Sequence, residues 1–424
     1  MNNDSGTKEK IAADPAVHVV PDKRLGEHRR WLMDVTQIPT AAGREQRVIA
    51  WIDRWISGRD GIAKRVDAHG NIELRLADVP QSDHPVYFTA HLDHPAFVVE
   101  EVRADDELIL SFRGGVMSDY FPDAAIRVHT GDDGYAVATI IEEHDPDGKE
   151  WSETETRPFK MYRAVSKQPH GAKVGDIGTW ELPGAEIVDD EFGGIIHTNA
   201  CDDLAAVAAA LAALDEIATI QRGGGQKNDV RVLFTRAEEI GFVGAIGACK
   251  GGFMPKGARI IALENSRAFP DSPIHGGPIV RVGDRISVFS PELTGAVAKV
   301  AERIAGGPAQ PTAAQKMSEM PKWKWQRKLM AGGACEASVF CAYGYSATCV
   351  CLPLGNYHNM AGLAEAQAGT HEGTPRVGRE FVGLDDFHGM VDLLIGCGVD
   401  LPQSPGFVER VEKLWDERKF VLGS

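Results

Sequence analysis

The chain has 424 residues, 43% hydrophobic and 25% charged, the balance of a soluble globular protein with length for two or three domains. Its formal net charge of -16 argues against nucleic acid and anionic membrane as partners, since no basic field exists to hold phosphates. The first fourteen residues are polar, no apolar run reaches the length of a membrane span, and the seven cysteines include no CxxC pair. The expectation is a cytoplasmic protein with reduced, mostly buried thiols.

Residues 1–20 read as a mobile arm. Helical spacing marks 24–35 and 44–56, and a hairpin-like pair follows at 62–66 and 72–76. The apolar run Val86 to Ala90 is a strand leading into His91. Between 97 and 195 the texture changes to short strands (107–112, 125–129, 135–141, 177–181) separated by turns such as Gly131 to Gly134 and Asp145 to Gly148. This predicts an all-β barrel or sandwich. An α/β pattern then resumes, with helices at 204–220, from 241, 292–304, 336–343, 384–395 and 407–414. The strands are 230–234, 259–263, 285–289 and 347–352, and 308–326 is less regular. The fold class is α/β with an inserted β domain, divided as 21–96 and 196–424 for the α/β part and 97–195 for the insertion.

Five strand ends carry residues of metal-ligand type: His91-Leu92-Asp93-His94, Asp202-Asp203, Glu238-Glu239, Glu264-Asn265 and Asn356-Tyr357-His358-Asn359. One alone is a cap or a surface residue more often than a ligand. Five at equivalent ends of one parallel region converge in space. Two His and three carboxylates suit a pair of divalent cations of the zinc type, with cobalt or manganese as alternatives. Two cations about 3.5–4 Å apart need a bridging carboxylate. Asp202, short and at a helix start, is the candidate. His91 and Glu264 then complete one cation, and Glu239 and His358 the other. Asp93 can accept the free ring N–H of His91. Glu238 is left without a cation and is placed to act as general base.

This ordered set resembles the dinuclear-metal aminopeptidases of the glutamyl-aminopeptidase and tetrahedral-aminopeptidase type, within the co-catalytic zinc exopeptidases. The stretches that carry it are HLDH at 91–94, NACDDLAAV at 199–207, TRAEEIGFVGA at 235–245, ALENS at 262–266 and LPLGNYHN at 352–359. The resemblance implies a central mixed sheet flanked by helices, with an inserted β-barrel domain. It assigns His91, Asp202, Glu239, Glu264 and His358 as ligands, Glu238 as general base and Asp93 as the orienting residue. It also implies a cis peptide between Asp202 and Asp203, and a homo-oligomer that admits short peptides. The implied activity is removal of the N-terminal residue of a peptide by a water activated between two metals. Leu204 stands where the family usually has Arg, Glu264 where it usually has Asp, and Gly332-Gly333-Ala334-Cys335-Glu336 resembles its Gly-Gly-Thr-Asp stretch. Glu264 is more like related carboxypeptidases and N-acyl deacylases, which stand as alternatives, with a catalytically silent binding protein as a third.

The remaining polar residues carry weaker expectations. His94 reads as a residue behind the ligands or beside the substrate, and Asp203 as the cap of the helix from Leu204. His275 is a candidate substrate contact on a loop, and His388 is structural. Trp323-Lys324-Trp325 reads as a hydrophobic interface or substrate wall.

Overall fold

The computed structural model describes residues 17–131, 134–144, 159–225, 228–309, 323–403 and 407–423. Most of the expected arm, the turn at 145–148 and most of the irregular stretch before 326 lie outside them. The chain opens with helices α1 (Asp22–Val35) and α2 (Gln46–Ser57), then strands β1 (Ile62–Val66), β2 (Ile72–Leu76) and β3 (Val86–His91). The inserted domain follows as β4 (Ala96–Ala104), β5 (Glu107–Arg113), β6 (Ala125–Thr130), β7 (Gly134–His144), β8 (Lys160–Ser166) and β9 (Ile177–Trp180). These six strands close into a barrel in the order β4-β5-β8-β7-β6-β9. Alternation explains the closure. Phe97, Val99, Leu108, Leu110, Ile126, Val128 and Trp180 all point inward and are buried.

The chain returns through β10 (Glu186–Val188) and β11 (Ile195–Thr198) to helix α3 (Leu204–Arg222). Then come β12 (Val230–Thr235), α4 (Val243–Lys250), β13 (Arg259–Arg267), β14 (Ile279–Asp284), α5 (Pro291–Ala305), β15 (Gln326–Met330) and α6 (Glu336–Ala342). The last elements are β16 (Ser346–Leu354), α7 (Leu363–Ala368), β17 (Glu380–Gly383), α8 (Leu384–Asp400) and α9 (Phe407–Arg418). Eight strands form one sheet in the order β1-β2-β12-β3-β13-β16-β14-β15. Its centre, β12-β3-β13-β16, is parallel, while β2 joins β12 and β14 joins β16 antiparallel, so the sheet is mixed.

Helix α3 packs against this sheet and against α1 and α8. Its alanines let the helix approach closely, and nearly every residue from Leu204 to Ala218 is buried. By length and composition α3 could cross a membrane, which the sequence reading did not anticipate, yet 89% of its apolar window is buried inside the fold. Its two acidic residues are paired, Glu216 with Arg24 Nε at 2.7 Å and Asp215 with Arg59 Nε at 2.9 Å.

Two sequence expectations are corrected here. The strand placed at 285–289 is β14 at 279–284, because Ile279 to Arg281 pair with β16 and the chain turns after Asp284. The Trp323–Trp325 stretch, expected as an interface or a substrate wall, does not line the cavity beside the metal-ligand-type residues, which corrects the wall reading. Trp325 is in the core with Nε1–H donating to Gly307 O (3.2 Å), and Trp323 Nε1–H donates to Asp392 Oδ2 (3.0 Å). Buried indoles of this kind need such acceptors.

Candidate metal centre

The parallel strands open their C-terminal ends on one side, and the expected residues meet there. His91 Nε2 lies 3.3 Å from Asp202 Oδ1 and 3.8 Å from both Glu238 Oε2 and Glu264 Oε1. His358 Nε2 lies 3.4 Å from Asp202 Oδ2 and 3.4 Å from Glu239 Oε1. Asp202 therefore divides its two oxygens between two imidazoles, the arrangement a bridging carboxylate needs. Candidate ligand atoms of His91, Asp202, Asp203 and Glu264 all lie within 4.8 Å of one another, as do those of Asp202, Glu239 and His358.

The residues fit a pair of cations. Asp202 Oδ1 and Glu239 Oε1 are buried with no hydrogen-bond partner among the described residues, a costly state for carboxylate oxygens. Burial pushes the carboxyls of Glu238, Glu239 and Glu264 above their ordinary range, and Asp202 pushes Glu239 and Glu264 further. Burial also opposes ionisation of Asp202, but hydrogen bonding to His358 and His91 holds it below the usual carboxylate range. So many carboxylates around two imidazoles call for added positive charge.

Orientation comes from the layer behind. Four consecutive backbone N–H groups of the loop after β12 are each held by a side chain. Arg236 donates to Asn71 Oδ1 (3.1 Å), Ala237 to Glu45 Oε1 (3.1 Å), Glu238 to Asp93 Oδ1 (2.9 Å) and Glu239 to Asp93 Oδ2 (3.1 Å). Asp93 was expected to accept the ring N–H of His91. His91 Nδ1 lies 3.1 Å from the Asp93 backbone carbonyl and 3.5 Å from its carboxylate, so Asp93 meets the ring through both groups while its oxygens also hold the loop. Asp203 does not cap α3. Its Oδ2 accepts the backbone N–H of His91 (3.1 Å) and its Oδ1 accepts Asn265 Nδ2–H (2.7 Å). The Asp202–Asp203 peptide is cis, as the resemblance implied.

His94 lies behind the ligands, with Nδ1 on the Asp202 carbonyl and Nε2 3.0 Å from Asn359 Oδ1. His275 does not line the cavity on which the centre opens. Its ring sits between Asp385 Oδ1 (2.5 Å) and Asp190 Oδ2 (2.9 Å), clasping two other elements. His388 is structural, accepting from Arg29 Nε (3.3 Å).

Three contributors escaped the sequence reading. Glu380 of β17 accepts Cys201 N–H (2.7 Å) and Asp202 N–H (3.0 Å) on Oε2 and His358 N–H (2.8 Å) on Oε1. Glu45, at the start of α2, grips both the loop and the guanidinium of Arg236 (2.6 Å). From the barrel side, Gly115 O accepts the Nδ1–H of His358 (2.6 Å), leaving Nε2 to face Asp202 and Glu239. Glu45 sits where a helix start was expected, and neither Gly115 nor Glu380 carries a local signal.

The centre opens on a cavity of about 410 Å³, with Met117, Phe269, Met330 and Met360 on other walls. That volume suits a small ligand.

Among solved structures, the TET1 peptidase of Pyrococcus horikoshii, which can assemble into a tetrahedron or a large octahedral shell, is 19% identical with a TM-score of 0.64. The alignment covers 88% of this chain and 100% of that one. An aminopeptidase from the archaeon Desulfurococcus kamchatkensis is 18% identical, with a TM-score of 0.65 over 91% of this chain and 98% of that one. An M18-family aminopeptidase from Thermotoga maritima is 14% identical, with a TM-score of 0.60 over 89% and 96%. These likenesses establish the fold. No match was found among curated proteins. The sequence profile of M42 glutamyl aminopeptidase matches residues 70–368, from the turn before β2 through α7 and across all five candidate ligand positions. The chain belongs to the M42 glutamyl aminopeptidase family.

Proposed function

We infer that the protein is a metal-dependent aminopeptidase that removes the N-terminal residue of short peptides. The observation that carries this is the division of Asp202 between His91 and His358, with the Glu238 carboxylate beside them, 3.8 Å from His91 Nε2. His91, Asp202 and Glu264 would hold one divalent cation, and Asp202, Glu239 and His358 the other. When bound, the cations supply Lewis acidity toward the scissile carbonyl and toward a water. Glu238 takes the proton from the attacking water and passes it to the leaving amine, a task suited to a carboxyl that burial pushes upward. Asp93 and Glu45 fix the loop that aims Glu238 and Glu239.

Zinc is the proposed native metal, supported by the mixed imidazole and carboxylate donors. A cytoplasmic location is supported by seven free cysteines. A homo-oligomer is supported by the assembly described for the Pyrococcus horikoshii peptidase. An inserted domain close to the expected 97–195 is proposed, supported by the closed barrel, whose strands run from Ala96 to Trp180.

Glu238→Gln should bind metal as the wild type does and lose about 10²–10⁴ in kcat. Metal analysis and hydrolysis of aminoacyl and N-acyl amides measure both. Full activity in Glu238→Gln would remove the proton-transfer role. Cleavage of the N-acyl amides alone would replace the aminopeptidase by a deacylase.

A further inference from the structure

His275 lies outside the centre and its cavity, on the loop between β13 and β14. Its backbone is held from two sides. His275 N–H donates to Asp386 Oδ2 (2.7 Å), Gly277 N–H donates to Asp386 Oδ1 (2.6 Å), and Lys324 Nζ donates to His275 O (2.8 Å). His275 is at φ +65°, a conformation that residues with a side chain seldom hold without such ties. The residue is 7% exposed, and its ring reaches two further elements. Nδ1 lies 2.5 Å from Asp385 Oδ1 at the start of α8, and Nε2 lies 2.9 Å from Asp190 Oδ2 in the turn between β10 and β11. Gly383 makes room for this, since a Cβ there would lie 2.8 Å from Asp385 Oδ1 and 3.0 Å from the ring.

A neutral imidazole has one N–H and one lone pair. Between two carboxylates it serves one and turns its lone pair on the other, whereas the imidazolium serves both. Burial opposes the charge, but the bond to Asp385 and the charges of Asp385, Asp386 and Asp190 raise the ring above its ordinary 6.5. The other charged groups around it are Lys324, on the carbonyl, and Asp386, which burial and Asp385 push up to about 8. The folded state therefore binds the ring proton more tightly than the unfolded state. What the proton contributes is complete below about pH 6.5 and is lost as pH rises through the higher value of the folded state. A cation cannot take its place between Nδ1 and Asp385, which are at hydrogen-bond distance. The elements joined here lead to the centre. Ile195 of β11 pairs with Gly383 of β17 beside His275, and Leu384 N–H donates to Gly194 O (2.9 Å). At the other end of this ladder Thr198 pairs with Glu380, which holds the N–H groups of Asp202 and His358.

We propose that His275 is a proton-operated clasp. Protonated, it ties the turn after β10 to the start of α8 and steadies, through β17, the two residues that Glu380 orients; deprotonated, it releases the turn. Hydrogen exchange on the zinc-loaded protein reads the clasp as protection of residues 190–196 and 381–387, corrected for the intrinsic pH dependence of exchange. In the wild type this protection should fall about 10-fold between about pH 6 and about pH 9. Asp190→Asn keeps an acceptor for Phe192 and Gly194 N–H, turns a donor toward the ring and leaves Asp386 in place. Its protection should be about 10-fold below the wild type at about pH 6 and equal to it at about pH 9. It should also lose zinc to a chelator about 3- to 10-fold faster than the wild type at about pH 6, and no faster at about pH 9. Comparison at one pH cancels the protonation of the ligands themselves. His275→Asn, a residue type that tolerates this backbone, should match Asp190→Asn. Protection that stays constant or rises with pH in the wild type overturns the proposal without any variant, a rise being the mark of a cation held by the neutral ring. Zinc loss equal to the wild type at about pH 6, in a variant whose protection has fallen, overturns the link to the centre. Only the zinc measurement rests on the metal-binding reading; a protein that binds no zinc would sink that reading and leave hydrogen exchange to decide the clasp.

Discussion

Glu380 holds three backbone N–H groups with two oxygens, and a glutamine side chain cannot repeat this, because one of its ends is a donor. Glu380→Gln should fold and should lose metal affinity by about 10- to 100-fold, read by competition with a chelator. Unchanged affinity would mean that Asp202 and His358 are held well enough without it. The convergence of the five candidate ligands was legible in the sequence, since each lies within a few residues of an apolar strand end. Their supports were not. Glu380, Glu45 and the carboxylate of Asp203 act on backbone N–H groups far away in the chain, and a backbone donor leaves no mark on the residue that carries it. Asp93 shows the same limit. Its spacing from His91 pointed to the imidazole, but not to the two bonds its oxygens accept from the loop of Glu238 and Glu239.

Between elements, Asp392 of α8 joins the chain before α1 to the stretch before β15. Its Oδ1 accepts Val20 N–H (2.7 Å) and its Oδ2 accepts Trp323 Nε1–H (3.0 Å). Burial pushes its carboxyl from the ordinary 3.8 up to about 7. The folded state therefore binds this proton more tightly than the unfolded state. Its contribution to stability is full below about pH 4 and is lost as pH rises through about 7. Asp392→Asn imitates the protonated acid, so its Tm relative to the wild type should rise between about pH 4.5 and about pH 8. Any offset from a weakened Trp323 bond is common to both conditions. A constant difference across the range would show that Asp392 is ionised throughout. At this scale the barrel was legible from the close spacing of its turns, although β4 and β8 were not anticipated. The edge strand β15, Gln326 to Met330, was hidden because its exposed position tolerates Arg327 and Lys328, which break the apolar pattern.

For the whole molecule, the centre is an acidic knot inside an acidic protein. Asp202, Glu238, Glu239 and Glu264 converge where little solvent screens them. Cations that bind only the folded state add stability by mass action. Chelation should lower Tm, and added zinc should restore it in a concentration-dependent way. Identical melting with and without metal would contradict the fit of these residues to cations. The bond from Gly115 to His358 has a further consequence. The tautomer of one ligand is chosen by a carbonyl contributed from the barrel side, while Met117 forms part of the cavity wall. The insertion is thus not an appendage that could be exchanged for another. A graft that kept every ligand but replaced this domain would leave the His358 ring free to turn, and the host would inherit a centre with one member unset.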